Sequence, residues 1–359
     1  MNKRSHLGFI IAAFLLLTSC STSFLKYEKE DQLKQIDEFD KAVKIEKPSE
    51  TPAPAAPTAA GTSTATPTQS SAKETAKVSK ASKTKAAREA KAKAKTKTGK
   101  MAVATSLRRQ PEIEDDAGFN GRRPLVDPFR VGEEVTHDVN YFKVSAGELH
   151  FRVNPFVTVN GRKAYNLGMA IKTSPLFSSF YSVEDNVDIF MDYETLTPTV
   201  YELHVKESGQ LREAKMLFDN VKNIATFWEK KVTKEHGAEE KKQQWEIQAY
   251  AQNVYSAVFY MRMFQWEVGK EYAFHVANDN ENLVFSGKAL RKEILETKLG
   301  PMKAIVMQPN IVLKGKFKPI GENLIWLSDD EHKYILRIEA KIKIGTLVSE
   351  VVSIKPGKP

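Results

Sequence analysis

The stretch "KYILRIEAKIKIGTLV", residues 333–348, decides the fold class. Tyr334, Leu336, Ile338, Ala340, Ile342 and Ile344 alternate with Arg337, Glu339, Lys341 and Lys343. Successive side chains of a strand point to opposite faces, so this period of two describes a strand with one apolar and one charged face. The same period recurs in "GELHFRV" (147–153), "TVYELHVKE" (199–207) and "REAKMLFD" (212–219). It places Leu149, Phe151 and Val153 together, then Tyr201, Leu203 and Val205, then Ala214, Met216 and Phe218. Asn160-Gly161 separates two such runs and favours a type I′ hairpin turn. Glu207-Ser208-Gly209-Gln210 and Asp219-Asn220 are further turn signals. One-sided alternation argues for antiparallel strands with one wet face, about ten to twelve of them.

One segment breaks the period. "AYAQNVYSAVFYMRMFQW" (249–266) carries Tyr250, Val254, Ala257, Val258, Met261 and Phe264 at helical spacing. It predicts one helix of about four turns, over about 250–265. A sheet with one apolar face must cover it. The expected fold is therefore mainly β: a strongly curved antiparallel sheet or open barrel, packed on one α-helix and preceded by a disordered tether.

The N-terminus gives the context. In "MNKRSHLGFIIAAFLLLTSC", two basic residues precede an apolar run from Leu7 to Leu17. That run is shorter than the ~20 residues a bilayer span needs, and it reads as a signal peptide over 1–19. Leu17-Thr18-Ser19-Cys20 resembles the bacterial lipobox, with cleavage between Ser19 and Cys20. Cys20 is the sole cysteine, so no disulfide competes for its thiol. The resemblance implies a diacylglycerol and an acyl chain such as palmitate on Cys20, hence a membrane anchor. Ser21, in place of the aspartate that marks inner-membrane retention, implies the inner leaflet of the outer membrane, facing the periplasm.

Residues 20–48 are charged, with Leu33, Ile36, Phe39 and Val43 at helix-like spacing, and read as a membrane-proximal segment. Residues 49–110 are rich in Pro, Ala and Thr, then in Ala and Lys, a composition that reads as a disordered linker. The globular domain is expected over 111–359. Residues 71–110 hold thirteen Lys/Arg against two Glu, more than the chain's whole net charge of +9. The rest of the mature chain is therefore acidic, and a nucleic-acid-reading domain is excluded by this split. Outside the cytoplasm, the polyanions within reach of the basic linker are peptidoglycan, lipopolysaccharide and anionic lipid. A spacer kept extended by self-repulsion is the plainer alternative. As a flexible coil the linker would let the domain work ~50 Å from the membrane.

Four ordered stretches resemble one family. They are "DPFRVGEEVTHDVNYFKVSAGELHFRV" (127–153), "AQNVYSAVFYMRM" (251–263), "LGPMKAIVMQP" (299–309) and "LIWLSDDEHKYILRIEAKIKIGTLVSEV" (324–351). Together they resemble exported bacterial proteins of the domain of unknown function 3108 family, over about 128–354. The motif residues are Gly132, Glu133, Gly147, Arg262, Gly300, Trp326, Asp329, Asp330 and Gly345. The resemblance implies structural roles for them and no activity. Asn253 stands where the family often has Asp, so no role for that acid carries over.

Chemical motifs are sparse. No His-x-His pair, His-Glu-x-x-His, phosphate loop or Gly-x-Ser-x-Gly elbow occurs, so no cofactor, metal or catalytic residue is assigned. Asp329 and Asp330 read as hairpin-turn acids. His137 and Asp185 fall on the apolar side of their strands, where a polar group must be hydrogen-bonded. They are the candidate ligand-orienting residues. The leading function is a non-enzymatic envelope lipoprotein whose curved domain is a periplasmic binding or assembly module; its concave face either holds a lipid-like ligand or is simply filled by the helix. A structural tether from outer membrane to cell wall, and a hydrolase of envelope polymers, are the alternatives.

Overall fold

The computed structural model describes residues 24–48, 124–312, 323–342 and 345–358. The expected signal peptide over 1–19, Ser19, Cys20 and the expected linker 49–110 lie outside these residues.

The first described elements are two short helices, α1 (Glu30–Lys34) and α2 (Asp37–Ala42), and a two-residue strand, β1 (Ile45–Glu46). There follow β2 (Glu133–Tyr141), β3 (Val144–Val159), β4 (Arg162–Thr173), the one-turn α3 (Pro175–Ser178), β5 (Glu184–Asp192) and β6 (Pro198–Lys206). Next come β7 (Gln210–Asp219), β8 (Ile224–Thr233), β9 (Gly237–Glu246) and α4 (Val254–Tyr260), which runs into a 3-10 turn at Met261–Met263. The remainder is β10 (Glu271–Asn278), β11 (Glu281–Thr297), β12 (Gly300–Val312), β13 (Leu324–Ser328), β14 (Ile335–Ile342) and β15 (Gly345–Pro356).

All fifteen strands form one sheet, ordered β10-β11-β12-β13-β14-β15-β2-β3-β4-β5-β6-β7-β8-β9, with β1 added to β3. The named strands pair antiparallel. Most links are hairpins, and at the β3–β4 turn both Asn160 and Gly161 have the positive φ that a type I′ turn requires. The sheet stays open, but its edges β9 and β10 come close. Lys241 of β9 reaches Asp279 beyond β10 at 2.6 Å, and Asn282 donates to the Glu246 carbonyl at 2.9 Å.

The inner face is the core. Phe151, Leu167, Ile189, Tyr201, Met216 and Phe227 from β3 to β8 join Phe274, Val306 and Leu327 from the other half. Against them lie Phe259, Tyr260, Met261 and Phe264, all but fully buried. Phe259 meets Phe151 edge-on at 6.2 Å, and Tyr260 meets Phe274 at 5.1 Å. Burying each such ring contributes about 1.5–3 kcal/mol.

The helix is shorter than its apolar spacing predicts. The Asn253 side chain caps the amides of Tyr255 and Ser256, with Ser256 capping back, so α4 cannot begin earlier. Gln252 is held extended against β10 by bonds to the His275 carbonyl and from the Ala277 amide. Phe264 is extended again at ψ 143°. Tyr250 and Ala251 before the helix and Phe264 and Trp266 after it also pack into the core, which lengthens the apolar pattern without lengthening the helix.

The lead-in segment is folded onto the domain. Ile36, Phe39 and Val43 pack on Val157, Val159, Phe190, Val200 and Trp228 of the sheet's outer face. Leu33 packs on Leu211 and Val232. β1 pairs with the end of β3, Ile45 opposite Val159. The described lead-in is thus part of the same compact unit as the sheet.

Candidate functional site

His137 and Asp185 lie on one cross-strand row of the inner face: His137 is opposite Leu149, Leu149 opposite Ile171, and Ile171 opposite Asp185. Three strand spacings separate them by ~14 Å, so they do not converge. His137 is fully buried. Its Nε2 donates to the Ile335 carbonyl at 2.8 Å and its Nδ1 accepts from the Ser349 hydroxyl at 2.9 Å. Burial holds the imidazole down to about 4, so it is neutral at pH 7. Asp185 sits at the rim, where its Oδ1 accepts from the Lys206 amide at 3.0 Å. Burial, with Glu207 nearby, pushes its carboxyl up to about 6.

The motif residues are held in the frame. Arg262 and Glu133 are both buried and paired head-on, Nη1 to Oε1 at 2.7 Å and Nη2 to Oε2 at 3.1 Å. Arg262 also donates to the carbonyls of His332 and Pro128, between the rings of Phe129 and Tyr334. The pair ties the 3-10 turn to the start of β2 and to the β13–β14 loop. Asp330 Oδ1 accepts from the Ser328 hydroxyl and from the amides of His332 and Lys333, and Asp329 pairs with Lys292 at 2.9 Å. These are turn acids. Trp326 donates to Glu293 at 2.7 Å. Gly147 is forced by space, since a Cβ there would stand 2.4 Å from the Lys172 carbonyl oxygen. Gly132 and Gly300 have positive φ, and Gly345 opens β15.

The arrangement with free binding capacity is on the outer face and went unread in the sequence. A groove of about 660 Å³ runs over β3–β7, with Glu30, Leu33 and Lys34 of the lead-in as one wall. Ala170 lines it, and over Gly168 on the same face of β4 lie the side chains of Asn154, Arg152 and Asp188, 3.5–3.7 Å from where a Cβ would stand. Two rows here are set by register. One reads His150, Ala170, Asn186, His204, Glu213; the other reads Arg152, Gly168, Asp188, Glu202, Lys215.

Most charges in these rows are paired. His204 contacts Glu213, which raises the imidazole above its usual value against the effect of burial. Lys215 reaches Asp40 and Glu202, and Lys206 reaches Glu30 at 2.9 Å. Arg152 makes no hydrogen bond or ion pair among the described residues. Burial raises the Asp188 carboxyl, opposed by His204 and Arg152 nearby. The signal in the sequence was the run "LGMA" in a strand whose neighbours carry His150, Arg152, Asp188 and His204 at outward positions.

Among the described residues no group of three or more His, Cys, Asp or Glu is placed to hold a metal ion. No described helix is long and apolar enough to cross a membrane.

The fold and frame define a class: a single antiparallel sheet curled about one short helix and locked by a buried Arg–Glu pair. The chain belongs to the family described as "Protein of unknown function (DUF3108)", which it matches over residues 136–352. No curated protein matches it. Among solved structures it is similar to a β-barrel-like protein of the domain of unknown function DUF1849 from Brucella abortus, at 7% identity and a TM-score of 0.40, over 63% of this chain and 98% of that one. It is also similar to a candidate lipoprotein from Parabacteroides distasonis, at 9% identity and a TM-score of 0.27, over 64% of this chain and 97% of that one.

Proposed function

We propose that the chain is a lipid-anchored protein of the bacterial envelope, held at Cys20 in the outer membrane, whose domain is a periplasmic binding and assembly module and not an enzyme. The ligand seat is the outer groove. The concave face is taken by Phe259, Tyr260 and Phe264, which fill the place a carried lipid would occupy. His137 on that face is engaged with the frame, and Asp185 stands apart from it at the rim, where it lines the outer groove.

The observation that carries this reading is Arg152, whose guanidinium makes no hydrogen bond or ion pair among the described residues and lies in the groove near the carboxylate of Asp188. Such a seat presents both signs of charge within one groove. It suits an amphoteric ligand, a peptide or a peptide-bearing envelope polymer, better than a uniformly anionic one. Soluble cell-wall fragments carrying stem peptides, titrated calorimetrically into the protein, should bind. Arg152→Glu should weaken binding at least tenfold with the fold unchanged by circular dichroism. Equal binding by wild type and Arg152→Glu, or none by either, would overturn the assignment.

A further inference from the structure

The lead-in segment fixes which end of the sheet meets the membrane. The Leu25 amide bonds to the Glu207 carbonyl in the β6–β7 turn, and the Phe24 ring lies 5.6 Å from the Lys206 ammonium. Phe24 is four residues after Cys20. Four residues span at most ~14 Å. An acyl chain on Cys20 therefore enters the bilayer close to the β6–β7 turn.

That same end carries the exposed aromatic side chains. Phe142 and Val144, in the β2–β3 hairpin, are 70% and 44% exposed. Leu176, Phe180 and Tyr181, in the β4–β5 loop, are 60%, 77% and 45% exposed. The two loops touch: Ser174 bonds to the carbonyls of Ala146 and Ser145 at 2.9 Å. The β4–β5 loop is tied in turn to the β6–β7 turn by Ser182 to Ser208 and by Tyr181 to Glu207. Phe142, Leu176 and Phe180 thus lie on loops tied to one another at the end of the sheet where the described lead-in begins. Lys26 and Lys143 are exposed beside it.

We infer that this end is a membrane-seating surface, in which Phe142, Leu176 and Phe180 insert into the interface of the bilayer that holds Cys20. Aromatic rings are suited to that depth, and basic side chains to its anionic headgroups. Two signals, acyl chains and an inserted apolar patch, hold a protein flat where acyl chains alone leave it free to swing. The groove over β3–β7 then opens beside the membrane and not at the end of a spacer. The inference rests on the lipid-anchor reading, and its test separates the two.

The full chain is purified from membranes and its intact mass shows whether Cys20 is acylated. Phe180→Cys and, at the far turn of β7, Val221→Cys are labelled with an environment-sensitive fluorophore. The acylated chain is placed in phosphatidylethanolamine–phosphatidylglycerol vesicles containing headgroup-proximal quencher lipid. Quenching at position 180 with none at 221 is the expected result. Equal quenching at both, or none at 180 in an acylated and vesicle-bound chain, overturns the seating surface and leaves the anchor standing. If the mass shows no acyl group, the anchor reading fails. The surface is then judged on mature chains, residues 20–359 with Cys20→Ser. Phe180→Asp should lower vesicle affinity about tenfold if the patch inserts and not at all if it does not.

Discussion

His137 and Asp185 occupy two ends of one row, and the contrast between their surroundings separates the structural part of this molecule from its working part. His137 itself is buried and matched. Its two ring nitrogens are both used, and the nearby Arg262–Glu133 pair has carbonyl acceptors for its remaining donors. Around Asp185 the strands run out. There the carboxylate is half-buried, Glu207 is close, and the exposed ring of Phe180 lies in the loop before it. A polar group that is both buried and fully bonded fixes a frame. A polar group held at a rim retains capacity for a change of charge or of partner.

The sharpest way to break the buried region is through its ion pair. Arg262→Met leaves Glu133 buried without its cation, which costs about 3–5 kcal/mol. For a domain of this size that corresponds to a melting temperature lowered by ~10 °C. The double variant Glu133→Gln/Arg262→Met should lose less than the two single changes together, since it leaves no buried charge unpaired. A loss below about 1 kcal/mol by urea unfolding would mean water reaches this pair.

The second prediction uses pH. His137 has a folded value of about 4, below the ~6.5 of an exposed imidazole. As pH falls the unfolded chain takes up this proton first, so the stabilisation is complete above pH ~6.5 and is lost towards pH ~4, about 3 kcal/mol in all. His137→Gln removes that dependence. Urea midpoints at pH 7.5 and 4.5 should therefore differ more in wild type than in His137→Gln. Identical differences would mean that the native imidazole takes up its proton at the same pH as an exposed one.

Much of this frame was legible in the sequence, and the reasons it was not all legible are specific. Alternation gave the inner face of β3, β6 and β7 because water on the other face kept those positions polar. It failed in β14, where a bulge opposite Trp326 and Leu327 lets Ile335 and Leu336 both be buried. It also failed where the lead-in covers the outer face: the apolar outward residues Phe190 and Trp228 interrupt the period because a second layer sits on them. A segment of 25 residues, about half of them charged, gives no local sign of what it will pack on. The outer groove was hidden for a related reason. Arg152, Asp188 and His204 are ordinary outward residues on their own strands, and only the register brings them around Gly168 and Ala170.

The smallest expected effect has the opposite sign and tests the rim directly. Asp185 is raised to about 6, against ~3.8 when free. Between those values the folded chain holds the proton more tightly than the unfolded one, so stability falls as pH rises through this window, and the penalty is complete above pH ~6. Asp185→Asn keeps an oxygen for the Lys206 amide and removes the charge. It should stabilise the protein at pH 7.5 by about 1 kcal/mol or less, the half-exposed site being screened by water, and have no effect at pH 4. A gain at neutral pH would set Asp185 apart from the turn acids, because an acid retained at a stability cost beside the groove and the seating surface is one held for a contact outside the fold. Destabilisation at pH 7.5 would instead make Asp185 a bonded member of the frame, like His137, and would move the boundary between the two regions out to the rim itself.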